Sequence, residues 1–500
     1  MTDRWPRARD LAGLAALTLA AVLVHGYHPG VEDAEIYLPG ILKRLHPDLY
    51  PRNTVFFESH AHMTLFPDLI AGSIHLLRLP AGVVILLWHV ASIFLLLLAS
   101  WRIGRLCFGS DRAAWGGAAL VGSLLTLPIA GTDLSIMDQY LTPRSLSTPI
   151  GLLAAGEALA GRPWRAILLL AVIAPIHPLM SVFAGALVVV LLWVRRWRTG
   201  EPGAVAAPGP AAGLLALPSL FPPVTPAYRQ VLATRPAFLL TRWAWYEWLG
   251  ILGPFVIMAG FARLARRRGL TALETLCRAV LVFEAAFFAM ALVVSMPGPF
   301  ERFAEIQPMR SLQLVYILMF LVIGGVAGEY LLRGRTWRPV VLLVPLCLLC
   351  AGMWYAQRQL FPATRHLELP GLAPRNRWVQ TFDWIRDHTP VDAYFALNPR
   401  FMALPGEDTH GFRAIARRSR MADAVKDSGV ASMFPQVSEE WLAQVDALRD
   451  WNRFTRDDFA RLHQVYGVDW VVIARPVPGL TCPYENDGLR VCRIDDGGGT

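Results

Sequence analysis

The chain is dominated by apolar runs long enough to cross a lipid bilayer, separated by short stretches that open or close on clusters of arginine. About 20 apolar residues span the roughly 30 Å of hydrocarbon, and inside it every backbone amide must find a partner within the chain. Such runs therefore dictate helices. Eleven are read, near 10–27, 80–100, 114–131, 146–161, 164–176, 179–194, 205–222, 246–264, 272–295, 311–331 and 337–356. Composition agrees: 54% of residues are hydrophobic and 17% charged, where an ordinary soluble domain has about 25% charged.

The first run follows Arg4, Arg7 and Arg9 in the manner of a signal peptide, but no small-residue cleavage site separates it from the later spans, so it is expected as a retained helix. The stretch Ala166 to Trp193 could be one tilted span or two short ones turning at Pro175-Ile176-His177-Pro178. Charge decides. With two spans, the arginines at 102, 105 and 112, at 162 and 165, at 195–198, at 263–268 and at 333–338 all share one side with the N-terminus, as the positive-inside rule requires. The expectation is a polytopic α-helical membrane protein of about eleven spans. Its N-terminus lies in the cytoplasm, in a bacterial cytoplasmic membrane. Residues 1–356 form the membrane domain, with a long first outer loop at 28–79, and 357–500 an extracytoplasmic domain. The formal net charge of +9 divides into +11 before residue 361 and −2 after it. A basic excess confined to the membrane part excludes nucleic acid as a partner.

Polar chemistry collects in the outward segments, 28–79, 132–145, 175–178, 223–245, 296–310 and 357–500. Glu32 and Asp33 follow the first helix; Asp138, Tyr140 and Arg144 lie in the second segment, and Arg302 and Arg310 in the fifth. Solvated loops are the plain reading of any one of these. As a group they fit the joining of a phosphate-linked donor to an acceptor: a carboxylate where the acceptor arrives, and arginines, whose planar fork grips two phosphate oxygens, where the phosphate leaves. His177, between two prolines, reads first as a helix cap and second as a group facing phosphate or acceptor. His25, His28, His46, His60 and His62 show no ligand spacing, so no zinc site is assigned. Of the charges inside spans, Glu157 and Arg278 lie near cytoplasmic ends, where snorkelling suffices; Glu284 and His89 look deep.

From about Phe361 the composition becomes that of a globular α/β domain. A helix is expected from Arg377 to Asp387, a strand at 393–397, a helix opening at Thr455 and closed by Gly467, a strand from Val468 to Ala474, and a last strand near Leu489–Ile494. Cys482 and Cys492 flank a short loop that an oxidising compartment would let them close as a disulfide; two free thiols are the alternative. Arg413, Arg417, Arg418 and Arg420, near Lys426, read as a solvated basic face, or as a site for an anionic glycan or lipid headgroup. No phosphate-binding glycine loop, nucleophile elbow or cysteine nucleophile is present.

A retained first helix, an acidic pair directly after it, many further spans and an outer C-terminal domain resemble the C-type (GT-C fold) glycosyltransferases. The strings GYHPGVEDAEIYLPGILKRLHPDLYP, MDQYLTPRSLSTP, IHPLMS and QPMRSLQLVY are similar, more closely, to an uncharacterised bacterial family of multi-pass proteins with that layout. The resemblance implies an inverting transfer of sugar from a polyprenyl-phosphate carrier to a glycan, lipid or protein acceptor. Asp33 or Glu32 would be the loop carboxylate, and Arg144, Arg302, Arg310, Asp138, Tyr140 and His177 would attend phosphate or substrate. No cofactor is required, and a divalent cation is left open. The chain departs from the family in having no clear Asp-X-Asp and no Trp-Trp-Asp, which argues against protein N-glycosylation. A transporter or flippase of a lipid-linked or anionic solute, or a non-catalytic scaffold of envelope assembly, are the alternatives.

Overall fold

The computed structural model describes residues 5–199, 224–296, 300–331 and 338–494. Six helices among these are long and apolar enough to cross a membrane: Ala8–His25, Ala81–Phe108, Pro178–Arg198, Trp245–Arg267, Thr271–Val294 and Glu301–Leu331. The chain is a multi-pass helical membrane protein. The span expected at 205–222 lies outside the described residues.

In chain order the first part comprises α1 (Ala8–His25), α2 (Ala34–Leu45), α3 (Val55–Met63), α4 (Phe66–Leu77), α5 (Ala81–Phe108), α6 (Asp111–Gly122), α7 (Pro143–Leu159), α8 (Pro163–Ile173) and α9 (Pro178–Thr199). The first outer loop is thus a layer of three helices, α2 to α4, rather than open chain. The ambiguous stretch breaks into two helices, α8 and α9, that meet at Ala174–His177; α9 is long enough to cross a membrane, while α8, at 11 residues, is shorter than a span.

The run expected to be helical over 114–131 stops at Gly122. Leu124 to Ser135 leave the helix and form a small antiparallel hairpin, β1 (Pro128–Ile129) with β2 (Leu134–Ser135). The carbonyl of Gly122 accepts a bond from His25 Nε2 (3.0 Å), and His25 Nδ1 meets Thr126 Oγ1 at 2.8 Å, so the broken end is satisfied by a side chain of α1. Helix α6 packs on the helix Leu312–Val326 through glycine faces: a Cβ on Gly116 would collide with the carbonyl of Gly324, and one on Gly324 with that of Gly116. Close backbone approach through small residues is how helices associate where lipid supplies no hydrophobic drive.

Helix α5 runs two turns beyond the expected boundary and carries Arg102 into the interior. There it pairs with Glu157, both about 3% exposed, so Glu157 does not snorkel to water. Glu274 joins three helices by pairing with Arg198 (2.8 Å), Arg266 (3.2 Å) and Arg278 (2.7 Å).

The tail domain follows its sequence pattern closely. Trp378, Phe382 and Ile385 on the helix Arg377–His388 bury one apolar face, and Gly467 closes the helix Arg456–Tyr466 in the left-handed conformation (φ 71°). Strands β3 (Tyr394–Leu397), β4 (Ser419–Arg420), β5 (Trp470–Ile473), β6 (Thr481–Asn486) and β7 (Leu489–Arg493) form one sheet in the order β4-β3-β5-β7-β6. Its β3 pairs are parallel and its β7 pairs antiparallel. Cys482 and Cys492 are joined by a disulfide across β6 and β7.

The arginine run of the tail is not a solvated face. Arg413 and Arg420 are each 1% exposed. Arg413 grips Asp427 with both nitrogens (2.8 and 3.0 Å), and Arg420 reaches Glu35 of α2 (2.9 Å) and Asp423. Arg418 turns inward to the carbonyls of Arg386 and Thr389, 2.7 Å each. These pairs, with Tyr50 Oη donating to the Arg413 carbonyl (2.8 Å), lock the tail onto the outer helical layer.

Candidate functional site

The chain leaving α1 must turn sharply before α2 can start. Glu32 makes that turn in the left-handed region (φ 53°), where a side chain is unfavourable unless its surroundings hold it. They do: Glu32 N donates to the Thr409 carbonyl (2.9 Å), and Val31 bridges His410. Asp33 then sits directly before α2, its own N–H 3.3 Å from Tyr140 Oη.

Both carboxylates face a cavity of about 660 Å³, within the range of about 300–1,000 Å³ typical of small-molecule sites. The α1–α2 turn forms one wall. The broken end of α6 and its hairpin form a second, with Thr126, Asp133 and Ser135. The start of α7 supplies Arg144, the turn before Leu312–Val326 supplies Gln307 and Arg310, and the tail closes the space with Val425, Lys426 and Gly429. Non-helical backbone at the end of α6 is therefore placed where a polar cavity can solvate it.

Six of the eight expected substrate-site residues line this cavity: Glu32, Asp33, Asp138, Tyr140, Arg144 and Arg310. Arg302 does not; its charge falls beside Glu305 and Tyr228. His177 stays behind the wall, its Nδ1 accepting from Met180 N (3.4 Å) as a cap on α9. Burial, with Arg144 and Arg310 adding to it, holds that ring neutral, its pKa lowered to about 3. Neither Glu284 nor His89 lines the cavity; His89 lies behind it, bonded to the backbone of Tyr140.

The charges are not all used alike. Lys426 bridges the acid pair, bonding Asp33 Oδ1 at 2.9 Å and Glu32 Oε2 at shorter range. Burial opposes charge on Asp33, but Lys426, Arg144 and Arg310 outweigh it and hold the carboxyl well below the usual range. Arg144 is taken by Asp138 at 2.6 Å. Arg310 has no carboxylate or side-chain hydrogen-bond partner among the described residues, and its Nε is buried without one; only the Phe238 ring lies beside its guanidinium, 6.0 Å away. The amide of Gln307, Nε of Arg235 and Nδ1 of His60 are likewise buried and unpartnered at this cavity. Buried polar atoms left unsatisfied in this way mark where water or ligand belongs. His60 is kept neutral by burial, its pKa lowered to about 4 with Asp33 opposing and Arg310 adding to the shift.

The sequence reading missed Lys426, Arg235, Gln307 and Asp133. One signal for the first was present: the chain has two lysines, Lys43 and Lys426, against 45 arginines. A compact ammonium with three free donors can serve two carboxylates at once, which the flat guanidinium does less readily. The same ion tests the site for a divalent metal. Lys426 occupies the place between Glu32 and Asp33 that a cation would take, so the arrangement does not fit a metal bound by that pair.

Fold and site together define a multi-pass helical membrane protein with a sheet domain that completes a charged cavity. No protein-family model matches the chain, and no curated protein matches it at a significant level.

Proposed function

We propose that this protein is a C-type glycosyltransferase that moves a sugar from a polyprenyl-phosphate carrier to an envelope acceptor, with inversion, on the outer face of a bacterial cytoplasmic membrane. In this reading the N-terminus is cytoplasmic and the tail domain extracytoplasmic. The observation that carries it is the pairing of opposites across one cavity: a carboxylate pair on one wall, and on another Arg310, which feels the Asp33 charge but has no carboxylate in direct salt-bridge contact among the described residues.

The acceptor hydroxyl enters beside Asp33 and attacks the anomeric carbon. The bond from that carbon to the phosphate oxygen breaks, its electron pair leaves with the phosphate, and the new charge is met by Arg310 with Arg144 behind it. Asp33, held ionised by Lys426, orients the acceptor hydroxyl, and the proton that hydroxyl loses is taken up by the departing phosphate, a stronger base than that carboxylate. No metal step is derived.

Glycolipid and glycan profiling of cells carrying Asp33→Asn, at matched protein level, is the test. The expected result is loss of one glycosylated product in both the variant and a deletion strain, and a drop of about 10²-fold or more in transfer by purified protein. Profiles unchanged in both strains would end the proposal.

A further inference from the structure

The turn that presents Glu32 and Asp33 belongs to a short ribbon. Val31 bridges His410, and Gly411 N donates to the Gly30 carbonyl at 2.8 Å. Gly30 and His410 of this ribbon also bound a second cavity, about 300 Å³, between the outer helical layer and the tail.

Its electrostatics are one-sided. The acids at its wall are already engaged: Glu368 accepts from His28 (2.9 Å) and His410 (3.0 Å), and Asp383 holds Arg386 at 2.5 Å. Arg365, Arg375 and Arg417 line the same space with no salt bridge or side-chain hydrogen bond among the described residues, and Nε of Arg365 is buried without a partner. Arg417 also acts on the nearby Asp383 and Asp387 carboxylates, and an anion in the hollow would be attracted by all three guanidinium groups at its lining.

The rest of the lining is apolar and sits at the end of a span. Ala81, Gly82 and Ile85 are the first turns of α5, and Pro370 packs against Gly82, 3.4 Å from where a Cβ would stand. Leu369 and Leu372 at the rim are 39% and 49% exposed. A pocket lined by both guanidinium groups and apolar side chains, beside the first turns of a membrane-length helix, fits a phosphate with the start of its hydrocarbon next to it.

We propose that this second cavity binds a phosphate group, carried by an anionic lipid headgroup or by a soluble anion, through Arg365, Arg375 and Arg417. The planar fork of arginine grips two phosphate oxygens at once. The site is separate from the acid-lined cavity and does not depend on the transferase reading.

Native mass spectrometry of the full chain released from detergent, with phosphatidylglycerol, phosphatidylcholine or inorganic phosphate added, tests it. Wild type should retain phosphatidylglycerol in preference to phosphatidylcholine, and Arg365→Gln with Arg417→Gln should reduce that retention about tenfold or more. Displacement of the lipid by inorganic phosphate supports the site with a soluble anion as its source, and lipid that stays bound supports it with the headgroup as source. Equal retention of both lipids by wild type overturns the proposal. So does undiminished retention in a double variant that elutes and melts like wild type. Should that variant not fold, Arg365→Lys with Arg417→Lys and, separately, the exposed Arg375→Gln replace it; retention equal to wild type in both overturns the proposal, and several-fold loss in either supports it.

Discussion

Glu32 and Asp33 lie within three residues of Glu35, directly before the first turn of α2 that carries it, yet the two places are opposites. Glu35 is fully buried and meets Arg413 and Arg420 in a cluster shared with Asp423 and Asp427. Burial pushes its carboxyl up; Arg420 and Arg413 pull against that, and Asp423 and Asp427 add to the rise. Three acids share two arginines there. The surplus is met by backbone: Asp423 Oδ1 accepts from the N–H groups of Val425 (2.6 Å) and Lys426 (2.5 Å), and Asp427 Oδ2 from that of Asp423 (2.9 Å). Asp33, by contrast, keeps 30% of its side chain in contact with solvent and is held well below the usual carboxylate range. Burial raises both acids; the balance of neighbouring charge decides whether that rise survives. The clusters are also linked, because the turn bonded to Asp423 is the one that presents Lys426 to the cavity.

The contrast is broken most severely at Arg420. Arg420→Met leaves Asp423 buried without its paired cation and Glu35 with only the longer contact to Arg413 (3.5 Å), and a broken buried pair costs about 3–5 kcal/mol. Thermal unfolding of the purified protein should show a large loss of stability, and the tail should become protease-sensitive. Arg310→Met, at the cavity, should leave both unchanged.

Glu368 lies between the two cases. Burial opposes its charge, but the bonds from His28 and His410 lower its pKa from 4.5 to about 2. A lowered carboxyl contributes stability above its unfolded pKa and loses it as pH falls through the folded one. That contribution, on the order of 3 kcal/mol at most, should disappear between about pH 4.5 and pH 2, and Glu368→Gln should flatten that limb of the stability curve. A limb that survives the substitution would place the acid sensitivity elsewhere.

Arg310→Gln removes a charge-assisted contact to the donor phosphate, about 1.5–3 kcal/mol. Donor affinity should fall roughly 10- to 100-fold, with the melting temperature unmoved, as measured by titration with a polyprenyl-phosphate sugar.

Lys426→Met has a small effect on stability, about 1 kcal/mol or less, because Glu32 and Asp33 both retain solvent. Its signature is pH dependence. Without the ammonium the Asp33 carboxyl rises toward the ordinary range, so the acid limb of the transfer rate should move to higher pH. A limb that does not move would mean that another group titrates in the reaction.

Local rules made much of this legible. The apolar runs, the proline-bounded break at Pro175 to Pro178, the tail strands and the cysteines beside its last loop could be read because each depends on neighbours within a few residues. The early end of α6 could not, since Gly122 to Ala130 carry no charge and continue the apolar run; there His25, 97 residues away, reaches the Gly122 carbonyl. Burial of Arg413 and Arg420 escaped for the same reason: an arginine run on a short helix looks solvated until Glu35 is brought across from α2.

Periodicity and charge along the chain thus determined that it enters a membrane, where most of its long apolar helices run, and that acids and arginines gather between them. Only the tertiary structure decided which acid is structural and which faces a cavity. Asp33 and Lys426 stand 393 residues apart, as do Glu35 and Arg420 at 385. Counter-charge at such separations is set by packing, because electrostatic energy depends on distance in space and on the water left between groups, and neither is written in sequence order.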